Sequence, residues 1–140
     1  MKTKEGITIS TDKNKLDITF IHEFLTKSYW AEGRTLKQVK ISIENSICFG
    51  IYLRDKQIGF ARVLTDGSVV AYLMDVFIAE IHRGKGYSKM LLTEIFNHKE
   101  LRAVNKWVLS TKDAHNLYKQ FGFDAIEHPE RLMSRKNKTL

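Results

Sequence analysis

The residues whose types and spacing best suit chemistry lie in one segment, Met74-Asp75-Val76-Phe77-Ile78-Ala79-Glu80-Ile81-His82-Arg83-Gly84-Lys85-Gly86-Tyr87-Ser88. It reads as an apolar strand, a loop with two glycines and the start of a helix. A helix N-terminus presents backbone N–H groups without intrahelical partners and the positive end of the dipole, and glycine lets a bulky anion approach the main chain. Arg83 and Lys85 add cationic charge, so the loop suits a phosphate or pyrophosphate. Two other phosphate loops are excluded: a P-loop requires Gly-x-x-x-x-Gly-Lys-Ser/Thr, and a dinucleotide loop requires a third glycine where this chain has Lys89. The spacing alone also fits plain turn chemistry between a strand and a helix.

Other reactive side chains are weaker candidates. Cys48 is the only cysteine, which rules out an intrachain disulfide. It lies inside the apolar run Ile47-Cys48-Phe49-Gly50-Ile51 with no histidine nearby in sequence, and so reads as a buried structural thiol rather than an acyl carrier. His22, His82, His98, His115 and His128 lack metal-ligand spacing and no His-Glu-x-x-His pair occurs, so no metal is expected.

The elements that must position the glycine loop follow from apolar periodicity. Ile7-Thr8-Ile9 alternates as a short strand. Asp17 caps a helix whose apolar residues Ile18, Ile21, Phe24 and Leu25 share a face, and Thr35 with Gln38 has the spacing of a capping box in front of Leu36, Val39 and Ile43. Strand period follows over residues 47–53, 57–65 and 69–78, as an antiparallel meander. Asp66-Gly67 between the last two predicts a tight type I′ turn, because both residue types tolerate positive φ. A helix is predicted over residues 87–98, with Leu91, Leu92, Ile95 and Phe96 as its buried stripe, and a short covered strand over 107–110. A last helix carries Ala114, Leu117, Tyr118 and Phe121 at helical intervals, with Asp113 as N-cap and Gly122 as the C′ residue. Residues 123–127 complete the pattern as a final strand. The order is β, α, α, β, β, β, α, β, α, β, which is an α+β class with one central sheet.

Arg83-Gly84-Lys85-Gly86-Tyr87-Ser88 resembles the Gln/Arg-x-x-Gly-x-Gly/Ala signature of the Gcn5-related N-acetyltransferases (GNAT), placed as in that family between a long strand and a helix. Ser88 departs from it, standing where glycine or alanine is usual. Ala114-His115-Asn116-Leu117-Tyr118-Lys119-Gln120-Phe121-Gly122-Phe123 is similar to the family's Ala-x-x-Leu-Tyr-x-x-x-Gly-Phe segment on the penultimate helix. The likeness in element order runs from Ile7 to about Glu127, and the specific motifs lie between Asp75 and Phe123. It implies a single acyltransferase domain over residues 1–140, with a mixed sheet flanked by helices; residues 134–140 carry charges without apolar periodicity and read as a solvated tail.

The resemblance also implies a chemistry: an acceptor amine attacks acetyl-CoA directly. Arg83, Gly84, Lys85, Gly86, Tyr87 and Ser88 would hold the pyrophosphate. A free backbone N–H among Val76, Phe77 and Ile78 would bond the thioester carbonyl and steady the charge that develops on its oxygen. Tyr118 is the general-acid candidate, since a phenol with a reference pKa of about 10 can protonate a departing thiolate; the helical stripe alone would make it a packed tyrosine. The attacking amine must lose a proton, and Asp75 is the nearest carboxylate. Asp75 interrupts an apolar strand, so it has either a structural hydrogen-bond partner or a role in the acceptor site, with Glu32 as a further candidate. Tyr29, Trp30 and Arg34 join the first two helices, which in the family border the acceptor, and either select the acceptor or simply pack.

The bulk properties bound these readings. The length of 140 residues, with 43% apolar residues and a single proline, suits one compact domain. No apolar run approaches the roughly 18 residues of a membrane-spanning helix, and the opening residues lack a secretory apolar stretch, so a cytoplasmic protein with no membrane partner is expected. A net charge of +7 favours an anionic partner without choosing one. The competing class is a basic module that grips nucleic acid or another anion through Arg83, Lys85 and Lys89. It leaves the second motif unexplained, and no helix-turn-helix, zinc-finger or aromatic RNA-binding pattern supports it, so no nucleic acid is expected. A third reading is a cofactor-binding fold without turnover. The acceptor amine, whether small molecule or protein, is not encoded in any motif, and exposed strand edges leave a homodimer open.

Overall fold

The computed structural model describes residues 3–4 and 6–137. By its internal contacts the chain divides into two units, residues 1–110 and 111–140.

The first unit is a mixed sheet. Its strands β1 (Thr3–Lys4), β2 (Ile7–Ser10), β3 (Ile47–Leu53), β4 (Lys56–Thr65), β5 (Val70–Ile78) and β6 (Lys106–Val108) are hydrogen-bonded in chain order. Every pair is antiparallel except β5 with β6. A parallel neighbour needs a crossover, and α3 (Tyr87–Asn97) supplies it. The other two helices, α1 (Ile18–Lys27) and α2 (Leu36–Glu44), precede the meander.

Neighbouring residues on a strand point to opposite faces, so one sheet sorts its apolar side chains into two layers. Cys48 of β3, Phe60 of β4 and Phe77 of β5 join Ile21, Leu25, Val39 and Ile43 of α1 and α2 in one buried cluster. Phe49, beside Cys48, faces the other way and meets the ring of His98, the C-cap of α3, edge-on at 5.5 Å. On that side Leu91, Leu92 and Ile95 of α3 are fully buried, and Phe96 meets Trp107 of β6 at 4.7 Å.

The helix starts form as the sequence dictates. Asp17 Oδ1 accepts the Phe20 N–H at 3.0 Å. Thr35 Oγ1 accepts the Gln38 N–H at 3.1 Å while Gln38 Oε1 accepts the Thr35 N–H at 2.9 Å, a reciprocal cap that satisfies two otherwise orphaned donors.

The turn at Asp66-Gly67 differs from its expected type. Only Gly67 of the pair has positive φ, so no type I′ turn forms. Asp66 Oδ1 instead accepts the N–H groups of Ser68, Val69 and Val70 at 2.9, 2.8 and 3.2 Å, and these bonds hold its carboxyl below the usual carboxylate range. The loop therefore wraps around a side chain and takes four residues, 66–69, between β4 and β5. The two-residue turn falls at Arg54-Asp55, between β3 and β4, with Arg54 at φ 55.

The second unit holds α4 (His115–Lys119). Gly122, at φ 91, is its C′ residue: the Gly122 N–H donates to Lys119 O at 3.1 Å and the Phe123 N–H to Tyr118 O at 3.2 Å, the paired bonds of a Schellman end. Asp113 is not the N-cap. The helix starts after Ala114, whose N–H donates to Thr111 Oγ1 at 3.1 Å, so the threonine hydroxyl organises the entry. The final strand expected over residues 123–127 is absent among the described residues. Alternation there puts Glu127 on the side of Phe123 and Ala125, and Asp124 on the side of Ile126, so neither face is apolar enough to bury. Residues 134–137 of the expected tail are exposed and carry no helix or strand; 138–140 lie outside the described residues.

Gly59 lies opposite Ile78, and a Cβ placed on it would sit 2.6 Å from Phe77 O and 2.7 Å from both Ile51 Cγ2 and Ile78 Cδ1. Gly59→Ala should therefore destabilise the chain by about 1–3 kcal/mol through overpacking. A urea titration would read this as a lower midpoint at constant slope; an unchanged midpoint would mean that the strands can separate at little cost.

Candidate functional site

The site grows from an irregularity in β5. Phe60 pairs with Phe77 and Arg62 with Met74, which leaves Ala61 opposite two residues, Asp75 and Val76. This is a β-bulge, and Asp75 stands in it at φ 55, a left-handed conformation uncommon for a residue with a side chain. Its carboxylate explains why the conformation holds. Oδ1 accepts the Trp30 Nε1–H at 3.0 Å, and Oδ2 accepts Arg34 Nη1 at 2.7 Å and Arg62 Nε at 2.8 Å. Arg62 is itself fixed by Ser46 Oγ at 3.1 Å and Met74 Sδ at 3.3 Å. The Asp75 side chain is 1% exposed, so both oxygens are occupied and closed to solvent. Of the two roles open to Asp75, this geometry favours the structural one.

Beyond the bulge the main chain of β5 becomes available. The Ala79 N–H donates to Ile58 O at 2.8 Å, which continues the Phe60–Phe77 register and makes 58–79 and 60–77 hydrogen-bonded pairs. Gly59–Ile78 is then the alternate kind, with the Ile78 N–H and C=O directed away from β4. On that side β6 pairs only with Val70 to Tyr72, so no described strand covers β5 at Ile78. Phe77 differs from its neighbour: its N–H is turned to β4 and its side chain is core.

The glycine loop continues from this point. A 3-10 turn, Glu80–His82, leads to Arg83, whose Nε donates to Ile78 O at 3.0 Å. Arg83 thus ties the loop to the end of β5 as well as adding charge. Gly84 and Gly86 have φ 80 and 82, and a Cβ built on either meets nothing within 4 Å, so the space over the loop is open. Gly86 is the N-cap of α3 and offers no side chain to cap it. Among the described residues no acceptor is bonded to the N–H groups of residues 84–89. Six consecutive donors at the positive end of a helix, with Lys85 and Lys89 exposed beside them, can hold a diphosphate. His82 Nδ1, buried at the base of the loop, has no hydrogen-bond partner.

The link between α1 and α2 closes the other side of Asp75. Phe24 stacks on Phe77 at 3.8 Å and 4°, Trp30 lies 6.3 Å from Phe24, and Tyr29 meets Trp30 edge-on at 5.2 Å. Tyr29 and Trp30 are 53% and 39% exposed, so this aromatic row runs from the core to solvent. Glu32 is exposed and forms no ion pair among the described residues.

Tyr118 belongs to the second unit. It is 9% exposed on α4, and its ring meets Phe123 at 6.0 Å. Cys48 is buried with its Sγ 3.7 Å from Ile43 O, and burial pushes its thiol up to about 11, which suits a structural thiol. Asp75, Val76, Phe77, Ile78 and residues 83–88 are thus gathered with Trp30 and Arg34 in the first unit. Arg62 and Ser46 were not foreseen. The signal was an arginine inside the apolar run Gly59-Phe60-Ala61-Arg62-Val63-Leu64, since a buried cation in one strand demands a counter-charge from its neighbour.

Residues 44–125 match the family model described as an acetyltransferase (GNAT) domain, a span that includes the bulge, the glycine loop and α4. The chain belongs to the GNAT family. A GNAT relative of known structure, a Xanthomonas campestris pv. campestris protein assigned to the family as an acetyltransferase, is 40% identical with a TM-score of 0.90, over 94% of this chain and 93% of that one. The uncharacterized N-acetyltransferase ycf52 of Gracilaria tenuistipitata var. liui is 36% identical over 96 residues. That match covers 64% of this chain but only 53% of the algal protein, so the chain spans about half the length of this relative. A GNAT acetyltransferase of Elizabethkingia anophelis, solved with acetyl-CoA bound, shares the fold with a TM-score of 0.68 at 16% identity, over 89% of this chain and 80% of that one.

The GNAT bulge in this chain depends on one charge. Asp75→Asn keeps the shape of the side chain but leaves two guanidinium groups without their carboxylate, a change that costs about 3–5 kcal/mol when a buried pair is broken. Chemical denaturation of the variant beside the parent measures it, and a loss below about 1 kcal/mol, the scale of an exposed pair, would show that water already screens the cluster.

Proposed function

We propose that this GNAT chain transfers the acetyl group of acetyl-CoA to a primary amine of a small-molecule or protein acceptor by direct attack, in the cytoplasm. The observation that carries the reading is the run of unpartnered N–H groups at residues 84–89, which follows in the chain on Arg83, itself bonded to Ile78 O. These donors fit a pyrophosphate, and the open space over Gly84 and Gly86 gives it room. Acetyl-CoA, when bound, supplies the thioester from which the acetyl group leaves.

The residues of the chain do the rest. Gly84 to Ser88 bind the diphosphate through the main chain, and Arg83 fixes their loop to β5. The Ile78 N–H donates to the thioester oxygen, more strongly as charge gathers on it, which lowers the barrier because the donor is oriented beforehand. Val76, the second residue of the bulge, leads into the same edge. Tyr29, Trp30 and Arg34 border the acceptor. Asp75 positions Trp30 and Arg34, its two oxygens being occupied, and the proton that the acceptor amine loses passes to solvent water. Tyr118 gives its proton to the sulfur as the thiolate departs, a role that rests on its match to the family pattern. No part of the reading calls on a metal, a nucleic acid or a membrane.

Acetyl-CoA titrated into the protein by calorimetry should give saturable binding, and Gly86→Glu, which sets a carboxylate among the phosphate donors, should abolish it while circular dichroism stays unchanged. A folded parent that fails to bind acetyl-CoA would overturn the reading and bring forward a module that binds other anions.

Tyr118→Phe should retain acetyl-CoA binding and lose about a hundredfold in kcat, the lower range for removal of a general acid. The assay is release of free thiol with an amine acceptor; an unchanged kcat would remove Tyr118 from the chemistry.

A further inference from the structure

We infer that the acceptor amine also carries a carboxylate, and that Arg34 is the residue that reads it. The inference rests on the acetyl-transfer reading and concerns only the acceptor side.

The charges around Asp75 do not balance. Two guanidinium groups, Arg34 and Arg62, share one carboxylate oxygen, and the remaining oxygen is taken by the neutral indole of Trp30. The cluster keeps one positive charge in a place where Asp75 is 1% and Arg62 7% exposed. The two arginines divide the work unequally. Arg62 spends Nε, Nη1 and Nη2 on Asp75, Ser46 and Met74. Arg34 spends Nη1 on Asp75, and among the described residues its remaining N–H groups meet no acceptor. Its side chain is 19% exposed, against 7% for Arg62, so of the two arginines it is the one more open to solvent. Glu32, the other carboxylate of the link, does not pair with it among the described residues.

The guanidinium is held in place before any ligand arrives. The Arg34 N–H donates to Ala31 O at 2.9 Å, His22 Nε2 lies 3.1 Å from Arg34 O, and the Gly33 N–H donates to Thr26 O at 3.0 Å. Ser28 Oγ donates to Leu25 O at 2.7 Å and accepts the Ala31 N–H at 3.2 Å. A planar, fixed fork of N–H groups with an uncompensated charge matches a carboxylate, which it can engage through two parallel bonds. Trp30 and Tyr29, in the same link between α1 and α2, offer apolar surface to the body of the acceptor, while Asp75, which both Trp30 and Arg34 touch, immediately precedes Val76 and the open end of β5. An amine in reach of both ends is compact, with its carboxylate on Arg34 and its nitrogen toward Ile78.

The test compares each of alanine, β-alanine, leucine, phenylalanine and lysine with the amine left when its carboxylate is removed, using acetyl-CoA and thiol release. With a charge-assisted pair of the usual strength, the carboxylate-bearing member of the preferred pair should have a kcat/KM about tenfold to a hundredfold higher. Arg34→Gln, which leaves Asp75 bonded to Arg62 and Trp30, should bring that ratio close to one, and Arg34→Lys should keep part of it. The ratio is the readout because a merely structural loss lowers both members alike. Equal rates within every pair, transfer to none of the amino acids by a chain that binds acetyl-CoA, or a ratio that survives in a folded Arg34→Gln variant would each overturn the inference. Absence of acetyl-CoA binding in calorimetry is a different result, which sinks the acetyl-transfer reading first.

Discussion

One carboxylate organises the working end of the sheet. Asp75 holds a left-handed backbone conformation that costs of order 1–3 kcal/mol for a residue other than glycine. Charge-assisted bonds to Arg34 and Arg62 and the indole bond from Trp30 offset that cost. The arrangement joins three elements distant in sequence: β5 through Asp75, β4 through Arg62, and the α1–α2 link through Trp30 and Arg34. Local strain at one residue is stable only because the surrounding structure fixes it from several directions, and the bulge it creates marks where β5 leaves regular pairing.

From that bulge onward the chain exposes main-chain donors in sequence. Ile78 turns its N–H away from β4, Arg83 grips the Ile78 carbonyl, and the donors of residues 84–89 follow. A side chain thus ties the glycine loop back to the strand end. An acyl group and a diphosphate belonging to one molecule would meet these donors as a single surface. The two lysines near the helix start strengthen the field of α3 without fixing its direction, which comes from the aligned peptide dipoles.

The sequence made the periodic elements legible because their burial is one-sided. The strand at residues 47–53 and the helices capped by Asp17 and Thr35 stand where apolar spacing and capping chemistry put them, and the strand expected over 69–78 starts one residue later. The glycine loop was legible for a local reason: helix start, glycine and cation are adjacent in the chain. What stayed hidden was long-range or conformational. The Asp75–Arg62 pair crosses two strands, and the Asp75–Arg34 pair spans 41 residues. The Asp66 carboxylate chose three backbone donors over the positive φ that a type I′ turn demands, a choice that residue type alone leaves open. At residues 123–127 a run of mixed character suggested a strand, but a strand needs a partner for its backbone, and pattern alone does not provide one. Phe77 and Ile78 are neighbours with opposite main-chain directions, a distinction that depends on register and is invisible until β4 is aligned against β5.

The uncovered stretch of β5 has a consequence for how the chain behaves in company. Unpaired strand edges are templates on which other polypeptides can add strands, the first step toward amyloid-like stacking. An edge that no described strand covers carries that hazard permanently. The bulge at Asp75 lessens it, because an extra residue coils the strand and breaks the flat, evenly spaced row of donors and acceptors that an incoming strand must match. The same irregularity that ends regular pairing along β5 makes the edge a poor seed for aggregation.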